Sequence, residues 1–282
     1  MAYQTIGVIG CGIMGSGIAQ VVAQSGYRTI VREVDDETVA KGLGRIKTSL
    51  AAGVERGKVS RGERDTAISN LTGTTKLEDM SGCDLIIEAI VENIDAKREA
   101  FTILEAVVHS DTVFASNTSS LCITELASTT ERPNRFIGLH FFSPVPVMKL
   151  VEVIRGLATS DETYQQVFAF SYTLGKEPVT APDRPGFIAN RLLIPYLLDA
   201  IRAFETGVGT IEDIDKTMSL GCGHPMGPFT LLDFVGLDTT YYIANIMHEE
   251  FRDPIYAPPP LLKRMVLAGR HGRKSGRGFY TY

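Results

Sequence analysis

Three polar features set among apolar residues are of the types that do acid/base chemistry. His140 follows Phe136-Ile137-Gly138-Leu139 and opens His140-Phe141-Phe142-Ser143-Pro144. A histidine that ends a strand beside two phenylalanines and a Pro turn is either a structural imidazole or a general acid/base in a dry pocket. Glu152 interrupts Leu150-Val151-Glu152-Val153-Ile154. A carboxylate inside an apolar strand needs a partner if it is buried; the other reading is an edge strand with Glu152 on a wet face. The two residues fall on consecutive strands joined by a Pro-rich loop, so their side chains are within reach of each other. A carboxylate on one ring nitrogen would fix the tautomer and stabilise the imidazolium. The third feature, Ala115-Ser116-Asn117-Thr118-Ser119-Ser120, follows an apolar strand. It is either part of a site or the N-cap of a helical turn at Ile123-Thr124-Glu125-Leu126.

These residues need a scaffold that gathers strand ends, and the N-terminal stretch supplies its signature. Ile6, Val8 and Ile9 read as a short buried strand. Gly10, Cys11, Gly12, Ile13, Met14 and Gly15 form a Gly-x-Gly-x-x-Gly turn, and a helix follows from Ser16 to Ala23. The first glycine suits a tight turn, the second admits a pyrophosphate, and the third lets helix and strand pack closely. N–H groups at the helix start face the phosphates. A second apolar strand, Arg28-Thr29-Ile30-Val31, leads to Glu33, close to the roughly 20-residue spacing of the acid that binds adenosine ribose. The combination predicts a site for NAD or a relative.

Further strands are expected at Cys83–Ile90, Thr112–Ala115, Arg135–Leu139 and Val151–Ile154, and helices at Glu37–Arg56, Glu63–Ser69 and Asp95–His109. Repeated βα units imply an α/β fold with a doubly wound, mainly parallel Rossmann-like sheet. Pro182-Asp183-Arg184-Pro185-Gly186 reads as a domain boundary. Beyond it only helices are expected, at Phe187–Glu205, Ile211–Leu220, Pro228–Glu250 and Leu261–Gly269. The predicted organisation is a dinucleotide-binding domain over 1–183 and an all-helical substrate-cleft and dimerisation domain over 184–282.

The 282 residues are 44% hydrophobic and 22% charged, enough to bury a large core. A formal net charge of −5 argues against nucleic acid as the main partner. No apolar run of about 18 residues and no signal-peptide pattern occurs, so no membrane partner is expected and the cytoplasm is the default. Cys11, Cys83, Cys122 and Cys222 are scattered without metal-ligand spacing and read as small, buried, reduced residues; no metal is expected.

Asn117-Thr118-Ser119-Ser120, Leu139-His140-Phe141-Phe142-Ser143-Pro144, Met148-Lys149-Leu150-Val151-Glu152-Val153 and Pro185-Gly186-Phe187-Ile188-Ala189-Asn190-Arg191 carry a resemblance. In order and spacing they resemble the L-3-hydroxyacyl-CoA dehydrogenases, most of all the short, monofunctional bacterial branch acting on 3-hydroxybutyryl-CoA. The likeness runs from the glycine turn to Lys274-Ser275-Gly276-Arg277-Gly278-Phe279-Tyr280. It implies that His140 is the catalytic acid/base and Glu152 its orienting partner. Ser119 and Asn190 match residues that contact the substrate oxygen and support the histidine. Glu92, Lys97, Ser119, Ser143 and Lys274 match cofactor contacts, and Asn117 falls within the same cofactor-binding stretch. Ser49 and Arg56 fall where the family contacts CoA, with Lys58 a nearby cation. Ser143 stands where Asn is usual, Glu33 where Asp is usual, and Arg56 where Lys is usual. NAD is the implied cofactor, an acyl-CoA the substrate, and a homodimer through the helical domain the assembly. Two other readings use the same scaffold: a different β-hydroxyacid or sugar-acid dehydrogenase lacking a cationic CoA site, and a non-enzymatic NAD(H) sensor needing no His140–Glu152 pair.

Overall fold

The computed structural model describes residues 3–282. The chain divides into two compact units, one ending at Asp183 and the other running Arg184–Tyr282.

The first unit opens with β1 (Thr5–Ile9), α1 (Ile13–Gln24), β2 (Arg28–Arg32), α2 (Asp36–Glu55), α3 (Arg61–Ser69) and β3 (Leu71–Thr74). It continues through β4 (Leu85–Glu88), α4 (Ile94–Glu105), β5 (Val113–Ser116), α5 (Ile123–Ala127) and β6 (Phe136–Phe141). It closes with β7 (Leu150–Arg155), α6 (Asp161–Thr173) and β8 (Glu177–Pro182). The eight strands form one sheet in the order β3-β2-β1-β4-β5-β6-β7-β8. Neighbours are parallel except β6 and β7, which pair antiparallel. The chain reverses its direction of travel across the sheet between β1 and β4. In an open α/β sheet, that switch point opens the ligand crevice at the carboxyl ends of the strands.

Near-continuous apolar strands are what a sheet covered on both faces requires. Val8, Leu85, Ile87, Val113 and Ala115 accordingly join Ile18, Val22, Ile46 and Val167 of the helices in one buried core. On α4, Phe101 packs its ring 4.6 Å from Phe136 and 5.3 Å from Phe114, which fixes that helix against β5 and β6. Lys97 stands one turn before Phe101 and shares its buried face.

The second unit contains α7 (Ala189–Glu205), α8 (Ile211–Gly221), α9 (Pro228–Val235), α10 (Leu237–Phe251) and α11 (Pro260–Leu267). It has its own core, in which Ile194, Leu197 and Leu198 of α7 meet Phe229 and Leu232 of α9 and Met247 of α10.

Several elements differ from the sequence expectation. The continuous helix expected over Pro228–Glu250 is two helices. They divide at Gly236, whose φ of 105° lies outside helical space. The strand expected over Cys83–Ile90 is confined to Leu85–Glu88, and α4 stops at Glu105 rather than His109. His140 does not end its strand but lies inside β6, with Phe141 after it. Strands β3 and β8 and helix α6 were not anticipated. Of the cysteines expected to be buried, Cys11 and Cys83 are, whereas Cys122 is half-buried and Cys222 exposed.

Candidate active site

The glycine turn is dictated by close backbone approach. At Gly10 φ is +86°, and a Cβ there would lie 2.6 Å from the Ala89 carbonyl oxygen. A Cβ on Gly15 would lie 1.8 Å from the Gly10 oxygen. Gly12 is the N-cap of α1 and offers no side-chain acceptor to the helix start. A Cβ on Gly12 would project into open space, so the N–H groups that begin α1 face room for an anion. These features fit a dinucleotide pyrophosphate. Glu33, just past β2, is tied to the turn: its carboxylate accepts from Cys11 N at 2.5 Å and Val34 N at 3.2 Å. Arg45 of α2 braces the other side, donating to the Cys11 carbonyl at 2.8 Å. Burial pushes the Cys11 thiol up to about 11, so it serves as filler and not as a nucleophile. Ile13, Val34 and Val91 are 75%, 70% and 69% exposed, leaving apolar side chains just beyond the ends of β1, β2 and β4.

The ends of β4 and β5 carry a network of charges. Glu88, the last residue of β4, is fully buried. Its carboxylate accepts from Lys97 Nζ at 2.5 Å, Ser116 Oγ at 2.6 Å and Ile90 N at 2.8 Å. Lys97 has no exposed side-chain surface and also lies 3.2 Å from Glu92 Oε2. Glu92 Oε1 accepts from Thr118 Oγ1 at 2.5 Å and Ser119 N at 2.8 Å. The Glu92 carboxylate thus joins the loop after β4 to the loop after β5, and the Lys97 ammonium ties it to Glu88. Ser119 is placed by this carboxylate. The polar cluster is not the N-cap of α5: that position is Cys122, and its side chain makes no capping bond. Asp183 takes the role instead, accepting from Ile123 N and Thr124 N at 2.7 Å each.

Strands β6 and β7 bring together the candidate acid/base residues. Their antiparallel register puts His140 directly opposite Glu152. His140 Nδ1 lies 2.8 Å from Glu152 Oε2, and the residues are 5% and 1% exposed. β7 lies between β6 and β8, so Glu152 is on an interior strand and not on a wet edge. A carboxylate at Nδ1 favours the tautomer that carries its proton there, which leaves Nε2 as the ring nitrogen that Glu152 does not engage. Phe142 packs its ring 4.6 Å from the imidazole. Asn117 Oδ1 accepts from Phe141 N at 2.9 Å, joining the loop after β5 to the strand that carries His140.

Lys176, just before β8, donates to the carbonyls of Val145 and Met148 and so pins the loop between β6 and β7. Burial holds its pKa below the ordinary lysine value. Ser143 is exposed on that loop. The structure therefore gathers the glycine turn, Glu33, Glu92, Lys97, Asn117, Ser119, His140 and Glu152 at the strand ends of the first unit. Ser49 and Arg56 are exposed on α2 and at its C-cap, seven positions apart along one face, with Lys58 in the turn that follows. In the second unit, Asn190 is the second residue of α7, and Lys274 donates to Asp238 at 2.7 Å. Sequence reasoning missed Glu88 and Lys176. Glu88 carries the same signal that drew attention to Glu152, a carboxylate in an apolar strand.

The family model described as "3-hydroxyacyl-CoA dehydrogenase, NAD binding domain" matches residues 5–184. The model described as "3-hydroxyacyl-CoA dehydrogenase, C-terminal domain" matches residues 186–282. The chain belongs to the 3-hydroxyacyl-CoA dehydrogenase family. It is 51% identical over 283 residues to a 3-hydroxybutyryl-CoA dehydrogenase of Mycobacterium tuberculosis, covering 100% of this chain and 99% of that one. The crystal structure of M. tuberculosis FadB2 superposes with a TM-score of 0.98 at 51% identity, covering 100% of both chains. That of (S)-3-hydroxybutyryl-CoA dehydrogenase PaaH1 from Ralstonia eutropha gives 0.96 at 43% identity, covering 100% of this chain and 99% of that one. The protein is thus an NAD-binding dehydrogenase of the 3-hydroxyacyl-CoA dehydrogenase family. Among the described residues, no helix is long and apolar enough to cross a membrane.

Proposed function

We propose that the protein interconverts (S)-3-hydroxybutyryl-CoA and acetoacetyl-CoA, with His140 as acid/base and Glu152 as its orienting partner. The observation that carries this reading is the buried His140–Glu152 contact of 2.8 Å, at the same side of the sheet as the glycine turn, where the parallel strands end. NAD, when bound, supplies the hydride carrier. In the oxidation, His140 Nε2 takes the proton of the 3-hydroxyl as hydride leaves the same carbon. In the reduction, protonated His140 donates to the 3-keto oxygen and polarises the carbonyl. Glu152 stabilises the charged imidazole in both directions. Ser119 and Asn190 are assigned to the substrate oxygen. Asn117, Ser143 and Lys274 are assigned to the cofactor, together with the glycine turn, Glu33 and Glu92. Lys97, which is fully buried, is assigned to holding Glu92 rather than to direct contact.

Ser49, Arg56 and Lys58 are assigned to the CoA moiety. Two cations and a hydroxyl on one exposed stretch suit its phosphates and separate this reading from a sugar-acid dehydrogenase. We further assign the second unit to substrate binding and to a homodimer, and the enzyme to the cytoplasm. The direct test is consumption of NADH with acetoacetyl-CoA. Turnover with acetoacetyl-CoA but not with free acetoacetate is the expected result. Equal rates with the free acid would overturn the CoA assignment.

A further inference from the structure

The position of a dinucleotide over this sheet is bounded on two sides. The glycine turn and Glu33 place the adenosine half over β1 and β2, and His140, which exchanges the proton, stands on β6. The ends of β4 and β5 lie between them, so the nicotinamide half must pass over those two ends to meet the reacting carbon beside His140. They carry the Glu88–Lys97–Glu92 triad: two carboxylates and one ammonium, a formal charge of −1. Glu88 and Lys97 are wholly buried and Glu92 keeps 27% of its side chain exposed, so salt screens this charge weakly.

Tying the two loops together does not require that surplus charge. Lys97 with Glu92 alone would be a neutral pair bridging the same segments, and the donors from Ser116 and Ile90 could be met by a neutral acceptor. Glu88 is a second carboxylate, buried at a desolvation cost, and its effect is to leave the triad net negative. Oxidised and reduced nicotinamide differ by one positive charge on the ring. Fixed negative charge in a water-poor site therefore favours the oxidised form.

Resting on the dehydrogenase reading above, we propose that Glu88 tunes the enzyme's relative affinity for the two cofactor forms. Through the triad it favours NAD+ over NADH and so biases the equilibrium on the enzyme toward hydride donation to substrate. It is a positioning and tuning residue that need not touch the cofactor. Two unit charges about 10 Å apart, at an effective dielectric of about 20, change an equilibrium constant roughly tenfold. That is the size of effect expected.

The test measures the dissociation constants of NAD+ and NADH separately, by calorimetry for the first and by the cofactor's own fluorescence for the second. The chain has no tryptophan to interfere. Glu88→Gln makes the triad neutral and should raise the ratio Kd(NAD+)/Kd(NADH) roughly tenfold. The double variant Glu88→Gln/Lys97→Gln returns the triad to −1 through Glu92 and should bring the ratio back toward that of the parent. A purely structural role predicts the reverse order, with the double variant at least as perturbed as the single. That order, or an unchanged ratio in folded Glu88→Gln, overturns the proposal. If Glu88→Gln does not fold, Glu92→Gln makes the same change of charge from the partly exposed end and must shift the ratio in the same direction. Failure of the parent protein to bind either cofactor would instead overturn the dehydrogenase reading.

Discussion

Glu88 and Glu152 are both carboxylates set in apolar strands and sealed from water, and each is compensated differently. Glu88 meets a lysine side chain at 2.5 Å, whereas Glu152 meets an imidazole at 2.8 Å, whose charge would change in the reaction proposed above. On the proposed mechanism, only the second arrangement would store and return a proton. His140→Gln or His140→Ala should therefore lower kcat by about 10²–10⁴, the usual worth of a positioned acid/base. His140→Gln should melt above His140→Ala, because Ala leaves Glu152 buried without the His140 contact. Glu152→Gln should lower kcat and leave the NADH dissociation constant nearly unchanged. Near-normal turnover in folded His140→Ala would eliminate the mechanism. On the proposed function, Glu33 would set cofactor choice on the far side of the switch point. Cys11 N and Val34 N hold its carboxylate in place, and a fixed negative charge there repels a 2′-phosphate. The expected preference for NADH over NADPH in kcat/KM is about 1–3 kcal/mol, the cost of an unsatisfied charged contact. Steady-state comparison at saturating acetoacetyl-CoA measures it, and equal use of NADPH would mean that the neighbouring Arg32 governs the pocket.

At the level of elements, the cofactor turn depends on how closely α2 approaches it. A Cβ on Gly42 would lie 2.3 Å from Cys11 Sγ and 2.6 Å from Cys11 Cβ, so α2 packs against the turn only because residue 42 has no side chain. Gly42→Ala should cost about 1–3 kcal/mol by overpacking and should weaken NADH binding by shifting the turn. Cys11→Gly in the same chain should recover part of both losses. Additive effects in the urea midpoint and the NADH titration would show that the two positions do not meet. This contact also marks where sequence reading ran out. Gly10, Gly12, Gly15 and Glu33 were legible because local spacing fixes them, and the His140–Glu152 pair because two consecutive strands carry it. Strands β3 and β8 were not, since Leu71-Thr72-Gly73-Thr74 and Glu177-Pro178-Val179-Thr180-Ala181-Pro182 contain the Gly and Pro that ordinarily demote a strand. Their place beside β2 and β7 comes from pairing across the sheet. The break between α9 and α10 was hidden for the opposite reason. Apolar residues continue through Gly236, and only its positive φ ends the helix. The Glu88–Lys97 contact joins residues on either side of a loop, and nothing in their spacing announces it.

At the scale of the whole molecule, the question is how much of the second unit's apolar surface one chain can bury. Ile194, Leu197, Leu198, Phe229 and Leu232 are consumed by the unit's own core. What remains is specific. Leu192 of α7 is 71% exposed, Leu220 of α8 76%, Val208 76% and Phe234 of α9 46%. Leu192 also edges a cavity of about 430 Å³ shared with Leu193, Tyr196, His224, Met226 and Leu231. A stable interface buries roughly 1,200–2,000 Å² in total, so this cavity can be only the centre of one. A two-fold contact would use each such residue twice, because the same patch faces itself. The expected outcome is a homodimer by light scattering at micromolar concentration, at twice the chain mass of 30.8 kDa. Leu192→Glu should shift the mass toward that of one chain, because burying an unpaired carboxylate at the centre costs more than losing a leucine contact. Glu on the exposed face of α3, for example Arg61→Glu, should leave the mass unchanged. A parent protein that scatters as a monomer would exclude the dimer, and a dimeric Leu192→Glu would move the contact away from α7.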